Sequence, residues 1–467
     1  MTATAAAAGP SPVQRLIDES PELFTGKVRD RRDRVTFYLN LGRTGGGVVP
    51  LRKAMGNADF LLSRPEHAEH VLVTNAANYY SPPHPFASLD GQYAPEGAFM
   101  LRLDTRPGAG DAAQEQIARH YVAVTLDSAR ALAEASQSGP ADVAHEAKRL
   151  TFRVTTRILF GTDVPRWAGA FVRAAGFLEE LLVNQGIGRP PPGHPLEGTY
   201  LAALEVRDRT MADVLRQAGP PPPGMTVGQQ RSAAISTVMN AYGGSSAALA
   251  WVLYLLATHP AERRQVEEEV DRVLAEPPRL ARTFRELTYT RLVIMEALRL
   301  YPPAWMLGGN AKAEDSIGGV YIPRGAQIMA SPLTIHRNPD LWERPNEFDP
   351  ERFAPHRSGG RHRLAYLPFG AGEHRCPAAH LAVGQLQMVV GTLLRHLRIG
   401  ALHGGPVRPR GLVALRPTPG VYITFHRRDD VEPWPEGTPL AGRVAEVQES
   451  APSSSFAAGS PSLGDTP

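Results

Sequence analysis

Apolar residues recur at the spacing of amphipathic helices through most of the chain. This pattern predicts helices over residues 112–135, 141–160 and 229–258, and one more that ends near Leu274. Another helix is predicted from Glu286 to Tyr301, where Pro302 and Pro303 follow, because proline cannot continue the helical hydrogen-bond ladder. The chain is therefore predicted to be mainly helical.

Short strands are predicted in two regions of the sequence. Residues 35–39 and 60–62 are short β-branched, aromatic or aliphatic runs, and a helix is predicted to follow over residues 65–73. Residues 320–325 and 328–330 predict a hairpin. A small β subdomain is therefore expected beside the helical body.

The two ends of the chain differ from its body. Residues 1–12 are small and polar, and residues 432–467 turn acidic and then rich in Ser, Pro and Ala, so both segments are expected to be disordered. Residues 13–431 are predicted to form a single domain.

Charge and cysteine content narrow the class of protein. The 50 basic and 47 acidic residues are interspersed and give a net charge of only +3, so no nucleic-acid partner is expected. The single cysteine is typical of a reducing compartment. The longest uninterrupted apolar run, residues 247–257, is too short to span a bilayer. A cytoplasmic monomer without a membrane anchor is therefore expected.

That single cysteine, Cys376, lies in a glycine-containing loop over residues 367–378 that leads into a predicted helix. The free N–H groups and the dipole at a helix start are expected to favour a thiolate there. One cysteine cannot form an internal disulfide or a four-ligand zinc site, and a lone buried cysteine is most often a small packing residue. The loop around Cys376 favours a different interpretation.

The sequence Phe-Gly-x-Gly-x-His-x-Cys resembles the haem-binding loop of the cytochrome P450 family. The resemblance implies the mainly α cytochrome P450 fold and a haem b cofactor, with Cys376 as the thiolate ligand of the iron. It also implies that the cofactor contacts the loop residues Phe369, Gly370, Gly372, His374 and Ala378. Ala378 departs from the family pattern, which has glycine there.

A second motif, Glu296-Ala297-Leu298-Arg299, places a carboxylate and a guanidinium on one face of an apolar helix. A buried ion pair needs further partners, and Arg352 is the candidate. This arrangement matches the Glu-x-x-Arg motif of the family and its downstream Arg. We interpret the three residues as a structural lock behind the haem.

The long helix departs from the family pattern. Family members usually carry an acid and an alcohol there, which relay protons to iron-bound dioxygen; Gly243 and Gly244 occupy the matching positions, and Ser245 follows about 100° further around the helix. A helix kink or close packing is one explanation of the glycine pair. The other explanation is that the two glycines leave space above the iron and remove the usual proton relay.

The resemblance leaves the groups that bind the haem propionates open. The usual Trp-x-x-x-Arg is absent from residues 110–115, and Gly309 replaces a further family Arg. Arg119, His120, His374 or Arg375 could compensate.

By resemblance, the substrate pocket includes Asn240, Ala241, Gly244, Trp305, Met306 and Thr418. Trp305 and Met306 could equally be core packing residues. The turn over residues 417–419 would complete the walls, together with residues 80–100 of the proline- and glycine-rich loop over residues 80–110.

Three functions remain open from the sequence. The first is a monooxygenase that hydroxylates or epoxidises an apolar small molecule in secondary-metabolite biosynthesis, served by a ferredoxin and a ferredoxin reductase in trans. The second is a haem-thiolate enzyme that does not activate dioxygen and instead cleaves an N–O or O–O bond of its substrate. The third is a non-catalytic haem sensor or carrier.

Overall fold

The computed structural model describes residues 34–44, 46–51, 59–80, 111–185, 190, 192–218, 225–275 and 280–428. The helices are α1 (Arg34–Thr44), α2 (Pro65–Glu69, continued by a π-helical turn His70–Thr74), α3 (Asp111–Ser138), α4 (Val143–Phe160), α5 (Pro165–Gln185), α6 (Glu197–Ala218), α7 (Val227–Thr258), α8 (Pro260–Val273), α9 (Leu280–Glu286), α10 (Thr288–Leu300), α11 (Pro332–Ile335) and α12 (Ala379–His396). The strands are β1 (Val48–Leu51), β2 (Asp59–Leu62), β3 (Tyr79–Tyr80), β4 (Ala141–Asp142), β5 (Leu307–Ala311), β6 (Asp315–Ile317), β7 (Val320–Ile322), β8 (Gln327–Ala330), β9 (Leu397–His403), β10 (Arg408–Gly411), β11 (Leu415–Thr418) and β12 (Tyr422–Arg427). The prediction of a mainly helical fold with a smaller β region is confirmed.

The long helix α7 lies at the centre of the described helices. A capping box starts it, in which the Gln229 backbone N–H donates to the Thr226 hydroxyl (3.1 Å) and the Thr226 N–H donates to the Gln229 side chain (3.0 Å). It then packs against α4, α10, α12 and strand β11. Most of its side chains are buried because neighbours surround it on several sides.

Two helical segments, Val227–Thr258 and Gly372–His396, are long and apolar enough to cross a membrane. In both, the greater part of the most apolar stretch is buried inside the protein, 61% and 67% respectively. This burial is typical of core helices in a soluble protein.

The strands form a five-stranded sheet in the order β1-β2-β8-β5-β3, a three-stranded sheet in the order β4-β12-β9, and the two hairpins β6-β7 and β10-β11. Among the strand pairs of the described residues, only that of β2 with β8 is parallel. The β region therefore joins strands from the start of the domain to strands more than 240 residues later, such as Leu62 opposite Ala330.

Two secondary-structure predictions are wrong. Residues 35–39 lie in helix α1, because Val35 is buried beside Trp305 and that packing outweighs the strand preference of the local residues. Strands form at residues 320–330, but β7 pairs with β6, while β8 lies between β2 and β5. The apolar pattern thus predicted the two strands of the hairpin correctly, but it did not predict which strands they pair with.

The predicted lock residues lie together in a fully buried network. The Arg299 guanidinium donates two hydrogen bonds of 2.7 Å to the Glu296 carboxylate, and Arg352 donates one of 3.2 Å. Arg299 also donates to the carbonyls of His336 and Pro345, both at 2.7 Å. Burying three charges is costly unless nearly every donor is satisfied, and these carbonyls supply the required acceptors.

His336 connects this network to the cysteine loop. Its Nε2 accepts a hydrogen bond from the Leu367 backbone N–H (2.9 Å), so the ring proton lies on Nδ1, which faces the Arg299 carbonyl at 3.1 Å. Burial, assisted by the nearby Arg299 guanidinium, lowers the pKa of His336 to about 3. The neutral ring therefore fixes the start of the loop relative to helix α10.

We predict that His336 makes the fold sensitive to acid. The pKa of this imidazole is about 6.5 in the unfolded chain and about 3 in the folded one, so between these values only the unfolded state takes up the proton. The free energy of unfolding should fall as the pH drops from 6.5, by at most about 1.4 kcal/mol per pH unit from this residue. Urea unfolding at pH 6.5 and 4.5 measures the loss.

The His336→Gln variant is the control, because its amide does not titrate. It should lose less stability between the two pH values than the parent protein does. Equal losses in the two proteins would contradict the role of His336.

Candidate functional site

The loop that carries Cys376 is held by its own backbone. The Cys376 N–H donates to the Phe369 carbonyl (2.9 Å), and the Gly370 N–H donates to the Leu367 carbonyl (3.1 Å). A short 3₁₀ turn, Gly372–His374, lies between them, and α12 begins three residues after the cysteine. These hydrogen bonds fix the position of the sulfur, which lies on a partly exposed residue.

Two glycines of the loop adopt a left-handed backbone, with φ of 73° at Gly370 and 66° at Gly372. A Cβ on Gly372 would lie 1.8 Å from the Leu72 carbonyl oxygen, so no other residue fits there. At Gly370 the nearest atom outside the adjacent residues would be 3.7 Å away. Gly372 therefore packs the loop against the π-helical turn that follows α2.

Burial raises the pKa of the Cys376 thiol, and the Ala378 backbone N–H and the Arg375 guanidinium lower it only in part. The helix start lowers this pKa, as expected, but the loss of hydration outweighs it. A bound metal cation reverses this balance, since a coordinated thiol loses its proton. The sulfur suits a metal ligand better than a free nucleophile.

The residues of the cysteine loop are suited to binding a haem iron. In the described part of the chain, no group of three or more His, Cys, Asp or Glu side chains could hold a metal ion. A single sulfur therefore suits an iron whose other ligands come from a macrocycle. Basic side chains that could contact carboxylates lie on α3 and on the loop, where Arg119, His374 and Arg375 are exposed and His120 is half-buried.

One segment, residues 303–307, connects the cysteine loop with the glycine pair of α7. A Cβ on Gly244 would lie 4.0 Å from the Pro303 ring, and a Cβ on Gly370 would lie 3.9 Å from the Leu307 side chain. The two regions that the sequence assigned to opposite sides of the cofactor thus border the same segment.

The glycine pair interrupts neither the course nor the packing of α7. The helix is continuous from Val227 to Thr258. Added methyl groups would meet their nearest neighbours at ordinary contact distances, 3.9 Å from Arg416 at Gly243 and 4.0 Å from Pro303 at Gly244. Close packing therefore does not require glycine at either position, and the role of the space above the iron stays a prediction.

The neighbour of Gly243 is a buried ion pair that was not predicted from the sequence. Arg416 on β11 donates to the Glu179 carboxylate on α5 (2.8 Å) and lies 3.4 Å from the Ser246 hydroxyl, which donates to the Gly243 carbonyl (3.1 Å). The Glu179 carboxylate raises the pKa of Arg416 against the opposing effect of burial. A guanidinium thus occupies the space next to the position where the family has an acid.

A sequence signal for this pair existed. Glu179 and Glu180 interrupt an apolar stretch of α5, and charged residues at such positions are rarely buried without a partner. Glu180 pairs with Arg410 on β10, so the hairpin β10-β11 is bound to α5 twice.

The structure places the predicted pocket residues of α7 on one face. Asn240 is exposed, and Ala241, Gly244 and Ser245 are partly exposed, in a helix whose other faces are mostly buried. Their roles remain predictions.

The other predicted pocket residues lie mainly in packing positions. Trp305 is buried and donates from its indole N–H to the Leu412 carbonyl (2.8 Å), and Met306 packs on two core clusters. The packing interpretation accounts for these contacts. Thr418 is half-buried at the end of β11. Of the turn predicted over residues 417–419, the first two residues belong to the strand, and the chain bends at Pro419. The predicted loop from residue 81 to 110 and the predicted disordered ends, residues 1–12 and 432–467, lie outside the described residues.

We predict that Gly372→Ala prevents the loop from reaching its native position. The overlap with the Leu72 carbonyl adds to the strain of a left-handed alanine, so the variant should lose bound haem and melt at a lower temperature. Gly370→Ala is the matched control, since it carries only the backbone strain, about 1–2 kcal/mol. Equal haem loss in the two variants would contradict the packing argument.

We also predict that Gly243→Ala and Gly244→Ala each stabilise the protein by about 1 kcal/mol, because alanine is the better helix former and the added methyl fits. Urea unfolding of each variant at pH 7 measures the change. A loss of stability would show that the helix needs glycine for its shape.

The sequence is similar to characterised proteins along much of its length. Residues 204–425 match the family described as Cytochrome P450. The chain is 30% identical over 312 residues to cyclooctatin synthase of Streptomyces melanosporofaciens. The matched segment covers 60% of this chain and 66% of that protein. It is 29% identical over 313 residues to cyclooctat-9-en-7-ol 5-monooxygenase of the same organism, covering 62% and 68%. The matched segments thus span about two thirds of these relatives.

The fold is also that of known structures. The cytochrome P450DA heme domain superimposes with a TM-score of 0.70 at 19% identity, over 84% of this chain and 93% of that one. The cysteine loop, the buried lock, the fold and the sequence similarity agree, and the chain belongs to the cytochrome P450 family.

Proposed function

We propose that this protein is a monooxygenase that hydroxylates or epoxidises a largely apolar small molecule in secondary metabolism. The observation that carries the proposal is that the cysteine loop, at Gly370, and helix α7, at Gly244, both border residues 303–307. One relative is named as a 5-monooxygenase of cyclooctat-9-en-7-ol, which supports the same class of reaction.

Proteins of this family bind haem b, and the loop residues would hold it through Cys376. The bound haem supplies an iron centre that activates the oxidant with electrons received from outside. Gly372 and the Glu296 network keep the sulfur in place, and the α7 face borders the substrate. The reaction consumes O₂, two electrons and two protons, and it yields the oxygenated product and water.

Because of the glycine pair, those protons have to be held by groups other than the side chains at residues 243 and 244. Neither Gly243 nor Gly244 has a side chain that can carry one. A water molecule or a substrate hydroxyl, held by the Asn240 amide or the Ser245 hydroxyl, takes that role in this proposal. The Arg416 guanidinium remains paired with Glu179 and keeps its protons.

Electrons would come from a ferredoxin and its reductase. The exposed basic side chains of Arg375 and His374 lie on the cysteine loop, where they would contact an acidic partner. The protein would act as a cytoplasmic monomer.

The test compares product formation with and without dioxygen and external electrons. The purified protein is given extract from a host that lacks its gene, together with a ferredoxin, its reductase and NADPH. We expect product only when both dioxygen and electrons are present. Product formed without dioxygen would overturn the proposal and favour cleavage of an N–O or O–O bond in the substrate, and no product at all would favour a haem sensor or carrier.

Cys376→Ser is the control for the metal ligand. It should lose both the product and the thiolate type of ferrous carbon monoxide spectrum. A variant that keeps this spectrum would show that another residue binds the iron.

A further inference from the structure

The cysteine loop packs against the π-helical turn His70–Thr74 that follows α2. A Cβ on Gly372 would lie 1.8 Å from the Leu72 carbonyl oxygen, so this carbonyl in the middle of the turn limits how closely the loop can approach. The turn closes where the Asn75 backbone N–H donates to the His70 carbonyl (2.8 Å). Because π-helical turns are rare, this one is expected to depend on contacts from outside the helix.

One carboxylate, that of Asp315 on β6, binds both ends of this turn. Its Oδ2 accepts a hydrogen bond from the Asn75 amide (3.0 Å), one from His70 Nε2 (2.8 Å) and one from the Tyr79 hydroxyl. Its Oδ1 accepts from the Ser316 backbone N–H (2.7 Å), so both oxygens are used. The carboxylate therefore holds the turn at its first residue and at the residue that ends it.

The Asp315 carboxylate is ionised at neutral pH. Burial of its side chain, which is 13% exposed, opposes ionisation, but the hydrogen bonds that it accepts lower the pKa of Asp315 to about 2. An ionised carboxylate only accepts hydrogen bonds, so His70 Nε2 carries a proton. Hydrogen bonds to a charged group are about twice as strong as those between neutral groups. Loss of this carboxylate would release the turn at both ends and deprive the buried Tyr79 hydroxyl of this acceptor.

Apolar packing continues the connection from β6 to the cysteine loop. One buried cluster contains residues of the hairpin β6-β7, of the π-helical turn and of the segment before Cys376, namely Ile317, Ile322, Val71, Leu72, Leu367 and Ala371. Densely packed side chains transmit a displacement because few voids are present to absorb it. A shift of the turn would therefore reach the loop.

We propose that Asp315 is a positioning residue for the iron ligand Cys376. By binding the two ends of the π-helical turn, it holds the Leu72 carbonyl against Gly372 and so keeps the sulfur in the place where it binds the metal. Asp315 takes no part in the reaction and acts only through the turn. The inference rests on haem ligation by Cys376 and is independent of the oxidant in the proposed function.

The persistence of the iron–sulfur bond tests this role without turnover. The haem-loaded protein is reduced under carbon monoxide, and the rate at which the thiolate type of ferrous spectrum disappears is measured at a temperature where circular dichroism shows an unchanged fold. Asp315→Ala should lose this spectrum about tenfold faster than the parent protein, the effect of losing about one hydrogen bond to a charged group. Asp315→Asn keeps one acceptor oxygen, so its rate should lie between those of the parent and the alanine variant.

Asp213→Ala is the matched control. Asp213 on α6 also has a carboxylate with three hydrogen-bond donors, and its side chain is 15% exposed, close to the value for Asp315. The donors are Trp167 (2.7 Å), Arg216 (2.8 Å) and Arg166 (3.4 Å). Because α6 packs against α4, α5 and α7, this carboxylate lies outside the connection from Asp315 to the loop. The variant should melt at a lower temperature but lose the thiolate spectrum at the parent rate.

A rate of spectral loss in Asp315→Ala equal to that of Asp213→Ala or of the parent protein would overturn the inference, because Asp315 would then only stabilise the fold. If Asp315→Ala binds no haem, Asn75→Ala decides, since it removes the donor at one end of the turn and leaves the carboxylate in place. Its rate should rise about threefold, and a rate like that of the parent would overturn the inference. Neither dioxygen nor substrate enters these measurements, so their failure is distinguishable from failure of the monooxygenase proposal.

Discussion

The site depends on the burial of one carboxylate, Glu296, between two guanidinium groups. Neither Arg299 nor Arg352 could lie in an apolar interior without that carboxylate and the surrounding carbonyls. The same network reaches the cysteine loop through His336 and the Leu367 N–H. An arrangement that contributes little net stability thus serves to hold a sulfur in a defined place.

Helix α7 lacks the acid and the alcohol of the family pattern, yet the fold is that of the family. The position of the usual acid is glycine, and the adjacent space contains Arg416, whose charge is balanced by Glu179 on another helix. The position of the usual alcohol is also glycine, and it faces the segment that leads to the cysteine loop. The ionisable pair Arg416–Glu179 thus lies beside Gly243, while α7 itself carries no charged residue from residue 232 to its end.

The sequence predicted the features that depend on local pattern. The helices, the cysteine loop and the candidate lock follow from residue spacing and from one short motif. Strand partners could not be predicted, since the β2–β8 pairing joins residues far apart in the chain. Residues 35–39 were misassigned because burial against Trp305 overrode local preference, and the Glu179–Arg416 pair was missed because its members lie on separate elements.

The contact between Gly372 and the Leu72 carbonyl has a consequence for the order of folding. These residues lie 300 positions apart, so the loop that presents the sulfur cannot take its final form until nearly the whole domain has closed. Contacts of such high sequence separation are expected to form late. Capture of the prosthetic group is then one of the last steps of biosynthesis, and newly made chains pass through a period in which their only thiol is accessible to oxidants.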